Sequence, residues 1–315
     1  MRFPMPVPTA LRGGARLLAV LPVLFACAGR AAAQPEAPVR ALIVTAHPDD
    51  EAMFAAAVYR ITHALGGAVD LALVTDGSGG YRYATLAEPI YHLRLTDEAV
   101  ARKALPAIRK RELMEGGSII GIRNYFFLDE YDHRYTLNVD SVLTYVWDTD
   151  AVQKRLGKIL AKGSYDFVIT HLPIPQTHGH HKGATIMALE AVSKMNPAER
   201  PVVLGSFISS KTDTSALAFT ELPGYPLTRI RTDVPPFTFD RTTPFGARGR
   251  LNYKIIVNWL IAAHKSQGTM QLLMNRGDLE NFWIFDLDVP DAVARTRELF
   301  EKLRTALPPE RPAPR

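Results

Sequence analysis

Short apolar runs alternate with longer segments of helical period along most of this chain. The apolar runs predict buried strands at residues 41–45, 69–75, 124–128, 166–170, 201–207 and 282–286. Helices are predicted at residues 52–65, from 96 to 120 with a break at Pro106, at 151–162 and at 180–195. This order predicts an α/β, Rossmann-like fold, in which a mostly parallel sheet is flanked by helices on both faces.

The regular pattern ends in the last third of the chain. Residues 209–250 are rich in Pro, Thr and Arg and have no period, so a long loop is predicted there. Residues 81–95 are predicted as a loop for the same reason. Helices are predicted at 251–273 and 290–307. The remaining residues, 308–315, are rich in Pro and charge and predict a disordered tail.

The first 33 residues have the parts of a secretory signal peptide. An arginine-containing start precedes an apolar segment, 17–28, that is too short to span a bilayer, and the small residues 31–33 form a cleavage site. Cleavage is predicted after Ala33, with export to the periplasm or the exterior and no transmembrane helix. In the alternative interpretation the sequence before Cys27 is a lipoprotein box, and Cys27 carries a lipid anchor.

Removal of this signal changes the charge of the chain. The whole sequence has 37 basic and 32 acidic residues, and four of the basic residues but none of the acidic ones lie in the first 33 positions. The processed chain would therefore be almost neutral, which gives no argument for a nucleic-acid partner. The only cysteine is in the signal, so the processed chain would have no disulfide. A single domain is predicted over residues 39–307.

A histidine and three carboxylates follow the first predicted strand, in the run Ala46-His47-Pro48-Asp49-Asp50-Glu51. They lie at the C-terminal end of that strand, where open α/β sheets bind their ligands. His47 and one carboxylate could bind zinc, and the second carboxylate could then take a proton from water on the metal. The alternative is that Asp49 and Asp50 only cap the following helix.

Four histidines follow the fourth predicted strand, at positions 171, 178, 180 and 181. If a helix begins here, His178 and His181 share one face of it, and His180 points away from that face. Parallel strands end at the same edge of a sheet, so one ligand from this group would complete a three-ligand zinc site. Such a site leaves a position open for water, as catalytic zinc sites do. Two such clusters at one edge favour a functional site over two solvated turns.

These two motifs resemble those of the PIG-L/LmbE-type N-acetylglucosaminyl de-N-acetylases, whose pattern is A-H-P-D-D-E with a later H-x-x-H. The run Arg109-Lys110-Arg111-Glu112-Leu113 is similar to the R-x-x-E-L helix of that family. The run His264-Lys265-Ser266-Gln267, with Lys254 before it, is similar to its late K…H-x-S-Q segment. The chain departs from the common H-P-D-H form of the second motif, because His180 replaces the acidic residue.

The resemblance implies a zinc-dependent hydrolase with one Zn²⁺ per chain, or another divalent metal in its place. It implies that His47, Asp50 and His181 bind the metal and that Asp49 is the general base. The implied reaction is the removal of an N-acetyl group from an amino sugar of the N-acetylglucosamine type, as a small molecule or an oligosaccharide.

The resemblance also implies roles for three further residues. His178 would polarise the acetyl carbonyl and stabilise the oxyanion, and Arg109 and Asp132 would hold sugar hydroxyls. His264 and Gln267 are predicted either to line the pocket or to lie on a solvated helix face.

Three other functions remain open. The same zinc site could hydrolyse a different amide or ester. A nucleotide-binding α/β protein would place pyrophosphate after the first strand, where Asp49, Asp50 and Glu51 would repel it unless a metal bridged them. A sugar-binding protein without catalysis would be expected to lack the base or a ligand, and this sequence has both.

Overall fold

The computed structural model describes residues 37–213 and 217–306, with Met1 and Met5 as isolated residues. The predicted signal peptide, with its cleavage or lipidation, and the predicted tail lie outside the described residues. Among the described residues, no helix has the length and apolar character needed to cross a membrane.

The strands of the described residues form one large sheet and one small one. Their bounds are β1 Arg40–Thr45, β2 Ala68–Thr75, β3 Ile122–Glu130, β4 Phe167–His171, β5 Val202–Ser209, β6 Phe237–Asp240, β7 Pro244–Phe245, β8 Leu251–Asn252 and β9 Leu279–Ile284. The large sheet has the order β3-β2-β1-β4-β5-β9-β6, and β7 pairs with β8. Strands β1 to β5 are parallel, whereas β9 is antiparallel to both β5 and β6. This confirms the predicted mostly parallel sheet.

Helices cover both faces of the large sheet. Their bounds are α1 Ala55–His63, α2 Glu88–Tyr91, α3 Glu98–Ile119, α4 Val139–Tyr145, α5 Thr149–Gly163, α6 Gly179–Ser193, α7 Lys254–Ala263 and α8 Ala292–Thr305. Side chains of β1 alternate between two buried clusters: Ala41 and Ile43 pack with α1, α7 and α8, and Leu42 and Val44 pack with α4, α5 and α6. Each face of the sheet therefore has its own apolar core.

The strand order places a ligand crevice at one point of the sheet edge. Chain order runs outward from β1 through β2 to β3 on one side, and from β4 to β5 on the other. The direction of winding therefore reverses between β1 and β4, and in such sheets ligands bind beside the carboxyl ends of the two strands at the reversal. The two sequence clusters follow these same two strands.

Two helix predictions were wrong, one in a break within the helix and the other in where the helix ends. Helix α3 runs without interruption through Pro106, where a break was predicted. An internal proline costs roughly 3 kcal/mol, and the buried residues of α3 on either side of it, Leu105 and Leu113 among them, offset that cost by packing. The predicted helix at 251–273 instead ends at Ala263, because the chain turns there to bury His264.

The predicted loops contain short regular elements. Residues 81–95 include two 3-10 turns and α2, and residues 209–250 include β6 and β7. Helix α4 had no prediction, and its N-cap is Asn138, whose side chain accepts from Ser141 N. The N-cap of α5 is Asp148, whose side chain accepts from Ala151 N at 3.0 Å. Local polar contacts of this kind leave only a weak signal in hydrophobic periodicity.

Candidate functional site

The loop after β1 is folded back on itself by Asp50. Its Oδ2 atom accepts hydrogen bonds from the backbone N–H groups of Ala46, at 3.0 Å, and His47, at 2.8 Å. Asp50 then opens a 3-10 helix, Asp50–Phe54, that leads into α1. The residue before it, Asp49, has a φ of 136°, a conformation that residues with a side chain rarely adopt. The hydrogen bonds of Asp50 therefore fix the conformation of the loop that carries both carboxylates.

The predicted metal ligands His47, Asp50 and His181 lie together. The Nδ1 atom of His47 is 3.1 Å from Nε2 of His181, which is 3.1 Å from Oδ1 of Asp50. All three residues offer ligand atoms within 4.8 Å of one another. Two imidazole nitrogens and one carboxylate oxygen at these separations fit zinc, whose bonds to such atoms are about 2.0–2.2 Å long.

The hydroxyl group of Thr177 orients the ring of His181. Oγ1 of Thr177 is 3.1 Å from Nδ1 of His181, the nitrogen that faces away from Asp50. The ring of His171 stacks on that of His181 with centroids 4.5 Å apart. These contacts fix the ring plane of His181, as outer groups commonly do for metal-binding histidines.

The second ring nitrogen of His47 faces a different pair of side chains. Its Nε2 atom is 3.0 Å from Nδ1 of His180 and 3.6 Å from Oδ1 of Asp132. His180, which was predicted to point away, is fully buried in the site. The prediction was wrong because His178 is the N-cap of α6, with a ψ of 141°, so helical spacing does not relate it to the residues that follow.

A second group of ligand atoms, from His47, His178 and His180, also lies within 4.8 Å. It shares His47 with the first group. The group that contains Asp50 is the better cation site, because its carboxylate neutralises part of the charge of the ion. Asp132 is then left to orient His47, which is the usual arrangement around a metal-binding imidazole.

His178 is held as a neutral hydrogen-bond donor. Its Nδ1 atom accepts from the backbone N–H of His180 at 2.9 Å, so the proton of the neutral ring is on Nε2. Burial, and then the nearby charge of His47, lower the pKa of His178 to about 2. This side chain can therefore donate a hydrogen bond without carrying a charge.

The two adjacent aspartates differ in their electrostatics. Loss of solvation, and then the charge of Asp50, raise the pKa of Asp49 to about 7. Burial acts on Asp50 in the same direction, but the charges of His181 and His171 outweigh it and hold the pKa of Asp50 well below its usual range. Asp50 is thus suited to bind a cation, and Asp49 to exchange a proton.

Arg109 and Asp132, predicted to hold sugar hydroxyls, border the same pocket but are largely engaged by the protein. The Arg109 guanidinium donates to the carbonyl oxygens of Gly77, at 2.7 Å, and Gly79, at 2.5 Å. Oδ2 of Asp132 accepts from Gly79 N at 2.9 Å, and a Cβ atom at Gly79 would lie 2.5 Å from the Asp132 carboxylate. Both residues position the loop after β2, and their contact with a substrate stays a prediction.

Sequence reasoning missed the partner of a third carboxylate. Glu51 is fully buried, and its Oε1 atom is 2.6 Å from Nε2 of His264, which is also fully buried. His264 therefore neither lines the pocket nor lies on a solvated face. The available signal was a charged residue directly before the apolar run that leads into α1, and such a residue must find a partner when it is buried.

A cavity of about 660 Å³ opens above the ligand atoms. His47, Asp49, His178 and His181 border it, and its other walls are largely apolar and aromatic. These walls include Met53, Tyr83, Tyr135, Phe207, Met270 and Leu273. Tyr135 stands edge-on to His178 with ring centroids 4.8 Å apart, and both tyrosines are mostly exposed. The cavity is large enough for a small ligand such as a sugar.

The fold and these ligand atoms define an α/β protein with a candidate metal site at the carboxyl ends of β1 and β4. Residues 42–192 match the model of the PIG-L family, described as GlcNAc-PI de-N-acetylase. The predicted resemblance to this family is confirmed for these residues.

Two known proteins show similarity of different kinds. A probable N-acetyl-alpha-D-glucosaminyl L-malate deacetylase 2 of Bacillus cereus is 28% identical over 162 residues, which cover 51% of this chain and 64% of the relative. The match thus spans less than two thirds of that relative. The structure of an N,N'-diacetylchitobiose deacetylase from Pyrococcus horikoshii has a TM-score of 0.51 and 18% identity, over 79% of this chain and 84% of that one. That likeness supports the fold.

Proposed function

We propose that this protein is a metal-dependent hydrolase that removes the N-acetyl group from an amino sugar of the N-acetylglucosamine type. The observation that carries the proposal is the convergence of His47, Asp50 and His181 at the floor of a cavity that Asp49 and His178 also border. The match of residues 42–192 to the PIG-L family model and the similarity to a probable deacetylase support the same activity.

The metal we propose is one Zn²⁺ per chain, held by His47, Asp50 and His181. Three protein ligands of this kind are typical of catalytic zinc sites, which keep a further position open. When bound, zinc would supply polarisation of the acetyl carbonyl and a lower pKa for water in the site. The donor atoms also suit other divalent ions of the first transition row.

Asp49 and His178 divide the remaining chemistry between them. Asp49 takes a proton from the attacking water, whose oxygen forms a bond to the acetyl carbon. The Nε2–H of His178 donates a hydrogen bond to the oxygen that becomes negative, and its low pKa keeps it from acting as the acid. Asp49 then passes its proton to the nitrogen as the C–N bond breaks, and acetate and a free amine leave.

The substrate is proposed to enter with its sugar against the aromatic wall of the cavity. Tyr83 and Tyr135 present exposed rings at this wall, and such rings offer an apolar face together with a polar hydroxyl. Arg109 and Asp132 border the cavity where the predicted contacts with sugar hydroxyls would form.

A different amide or ester in the same site is the second candidate. Met53, Phe207, Met270 and Leu273 line the cavity, and these apolar side chains favour a substrate that carries an apolar group. An acyl chain longer than acetyl would pack against these side chains.

We also propose that the protein is exported, with residues 1–33 as its signal. The support is the sequence of that segment: a basic start, a short apolar run and small residues before Ala33. N-terminal sequencing of protein recovered outside the cytoplasm tests this. A chain that begins at Gln34 is expected; one that begins at lipid-modified Cys27 would indicate the anchor, and one that begins at Met1 would contradict export.

A substrate screen tests the proposed activity. Purified protein is incubated with N-acetylglucosamine, chitooligosaccharides and peptidoglycan fragments, and acetate is measured with zinc present and after its removal. We expect zinc-dependent acetate release from at least one of these compounds, and none from an Asp49→Asn variant. Release of a longer acid from an N-acyl or ester substrate, with none from the sugars, would favour the second candidate.

A further inference from the structure

The segment that follows α7, residues 264–267, contacts the loop after β1, which carries two of the proposed metal ligands. Nε2 of His264 contacts Oε1 of Glu51 at 2.6 Å, and both side chains have no exposed surface. The Gln267 side-chain amide donates to the carbonyl oxygen of Pro48. The backbone of His264 is itself fixed, since its carbonyl oxygen accepts from Nε2 of Gln271 at 2.9 Å. Two residues of the loop are thus held by one segment more than 200 positions later in the sequence.

The Glu51 side chain also binds the backbone of Asp49. Its second oxygen, Oε2, accepts from the backbone N–H of Asp49 at 3.0 Å. Asp49 has a φ of 136° and a ψ of −17°, a strained conformation that persists only where its surroundings impose it. The hydrogen bond from its amide to a buried carboxylate is a direct restraint on that conformation.

The His264 side chain has one hydrogen-bond partner among the described residues, and that partner is Glu51. Among the described residues, Nδ1 of His264 is buried without a hydrogen-bond partner, so Glu51 accounts for the polar role of this imidazole. A buried carboxylate needs such a hydrogen bond to stay in place. Without His264, the Glu51 side chain would lose the contact that holds it, and its hydrogen bond to the Asp49 amide would weaken.

We propose that His264 is a positioning residue for Asp49, acting through Glu51. Its effect on catalysis rests on the proposed function, in which Asp49 is the general base. Its effect on the conformation of Asp49 does not depend on that function. His264 touches neither the substrate cavity nor the metal ligands, so neither substrate binding nor metal binding is expected to depend on it.

The same segment also braces the neighbouring loop after β2. The backbone N–H and the hydroxyl of Ser266 donate to Glu112, at 2.8 and 2.6 Å. Arg109, one turn earlier on α3, donates to Ser266 Oγ at 3.3 Å and reaches the carbonyl oxygens of Gly77 and Gly79. Residues 264–267 therefore connect both loops that border the site on this side, which explains why α7 ends where it does.

Three variants test the proposal. His264→Leu removes the hydrogen bond at similar size, His264→Gln keeps an N–H group that can reach Glu51, and Lys265→Ala changes an adjacent, partly exposed side chain that pairs with Glu115. For each variant, hydrogen exchange of the Asp49 amide, metal content, kcat and KM are measured. Glu51→Gln provides a second test if His264→Leu does not fold.

For His264→Leu we expect Asp49 amide exchange at least about tenfold faster and kcat about 10²-fold lower, since small misplacements of a catalytic group have effects of this size. KM and metal content should stay as in the unmodified protein. His264→Gln should recover most of both losses, Glu51→Gln should resemble His264→Leu, and Lys265→Ala should change nothing.

Two outcomes would overturn the proposal. One is Asp49 amide exchange in His264→Leu and Glu51→Gln at the rate of the unmodified protein. The other is a rise in KM at constant kcat, which would mean that His264 acts on substrate binding. If the unmodified protein released no acyl group from any substrate, the proposed function would fail, yet the exchange rates would still decide whether His264 restrains Asp49.

Discussion

At the level of single residues, the site depends on the two ring nitrogens of His47. Nδ1 faces Asp50 and His181, and Nε2 faces His180 and Asp132. Asp132 stays charged: burial opposes this, but the charge of His47 and the hydrogen bonds of both histidines hold the pKa of Asp132 well below its usual range. A charged carboxylate behind a metal-binding imidazole fixes its ring and raises its basicity.

The first prediction concerns this carboxylate. Asp132→Asn should lower the affinity for Zn²⁺ by about 10- to 100-fold, because the charge that orients His47 is lost while the three ligands remain. A competition titration with a zinc chelator measures this. Asp129→Asn, at an exposed position near the end of β3, is the control and should leave the affinity unchanged. Equal affinities for all three proteins would show that Asp132 does not act on the metal.

At the level of elements, hydrophobic runs predicted the core strands well and the helix ends poorly. Strands β1 and β4 are buried on both faces, so their sequences are almost continuously apolar and easy to recognise. The end of α7 depends on contacts of His264 and Ser266 with distant carboxylates, which no local pattern reports. His180 was misplaced for a similar reason, since the conformation of the N-cap residue His178 set its direction.

The second prediction concerns Asp278, which ties three elements together just before β9. It accepts from Lys254 Nζ at 2.7 Å, at the start of α7, and from Lys211 N and Ser210 Oγ after β5. The hydrogen bond of Lys254, followed by that of Lys211, lowers the pKa of Asp278 to about 2. Because this is below the value of roughly 3.9 for an unfolded aspartate, the pair stabilises the fold above about pH 4 and loses its effect as pH falls towards 2.

Asp278→Asn should therefore lower the free energy of unfolding by no more than about 1 kcal/mol at pH 7, since the ion pair is partly exposed. The difference from the unmodified protein should shrink between pH 4 and 2. Urea unfolding at several pH values measures both. Asp233→Asn, which breaks a more exposed pair with Arg231, should have a smaller effect. A difference for Asp278→Asn that grew on acidification would contradict the assignment.

At the level of the whole molecule, topology brings together residues that are far apart in sequence. His47 and His181 are separated by 134 positions and meet because β1 and β4 are parallel neighbours whose following loops share one edge. The predicted alternation of strands and helices was enough to anticipate this meeting. The apolar pattern predicted a strand at 282–286 but neither its antiparallel pairing nor its contacts. Those contacts depend on a buried ion pair, which has no sequence pattern of its own.

That ion pair gives the third prediction. Glu280 of β9 is fully buried, contacts Arg241 at 2.8 Å and accepts from Ala56 N and Ala57 N at the start of α1. Glu280→Leu should lower the free energy of unfolding by about 3–5 kcal/mol, because it leaves Arg241 buried without its partner. Denaturant unfolding measures this loss, and adding Arg241→Met should restore part of it. A loss below about 1 kcal/mol would show that the pair does not hold α1 against the sheet.

The central claim is that His47 binds a metal that the reaction needs, while Asp49 beside it moves the proton. Metal content and turnover of Asp49→Ala and His47→Ala, measured on the same preparations after incubation with zinc, test this most directly. We predict that Asp49→Ala retains zinc but loses about 10²- to 10⁴-fold in kcat, whereas His47→Ala loses the metal as well as activity. Equal loss of metal in both variants, or full turnover in Asp49→Ala, would contradict the account.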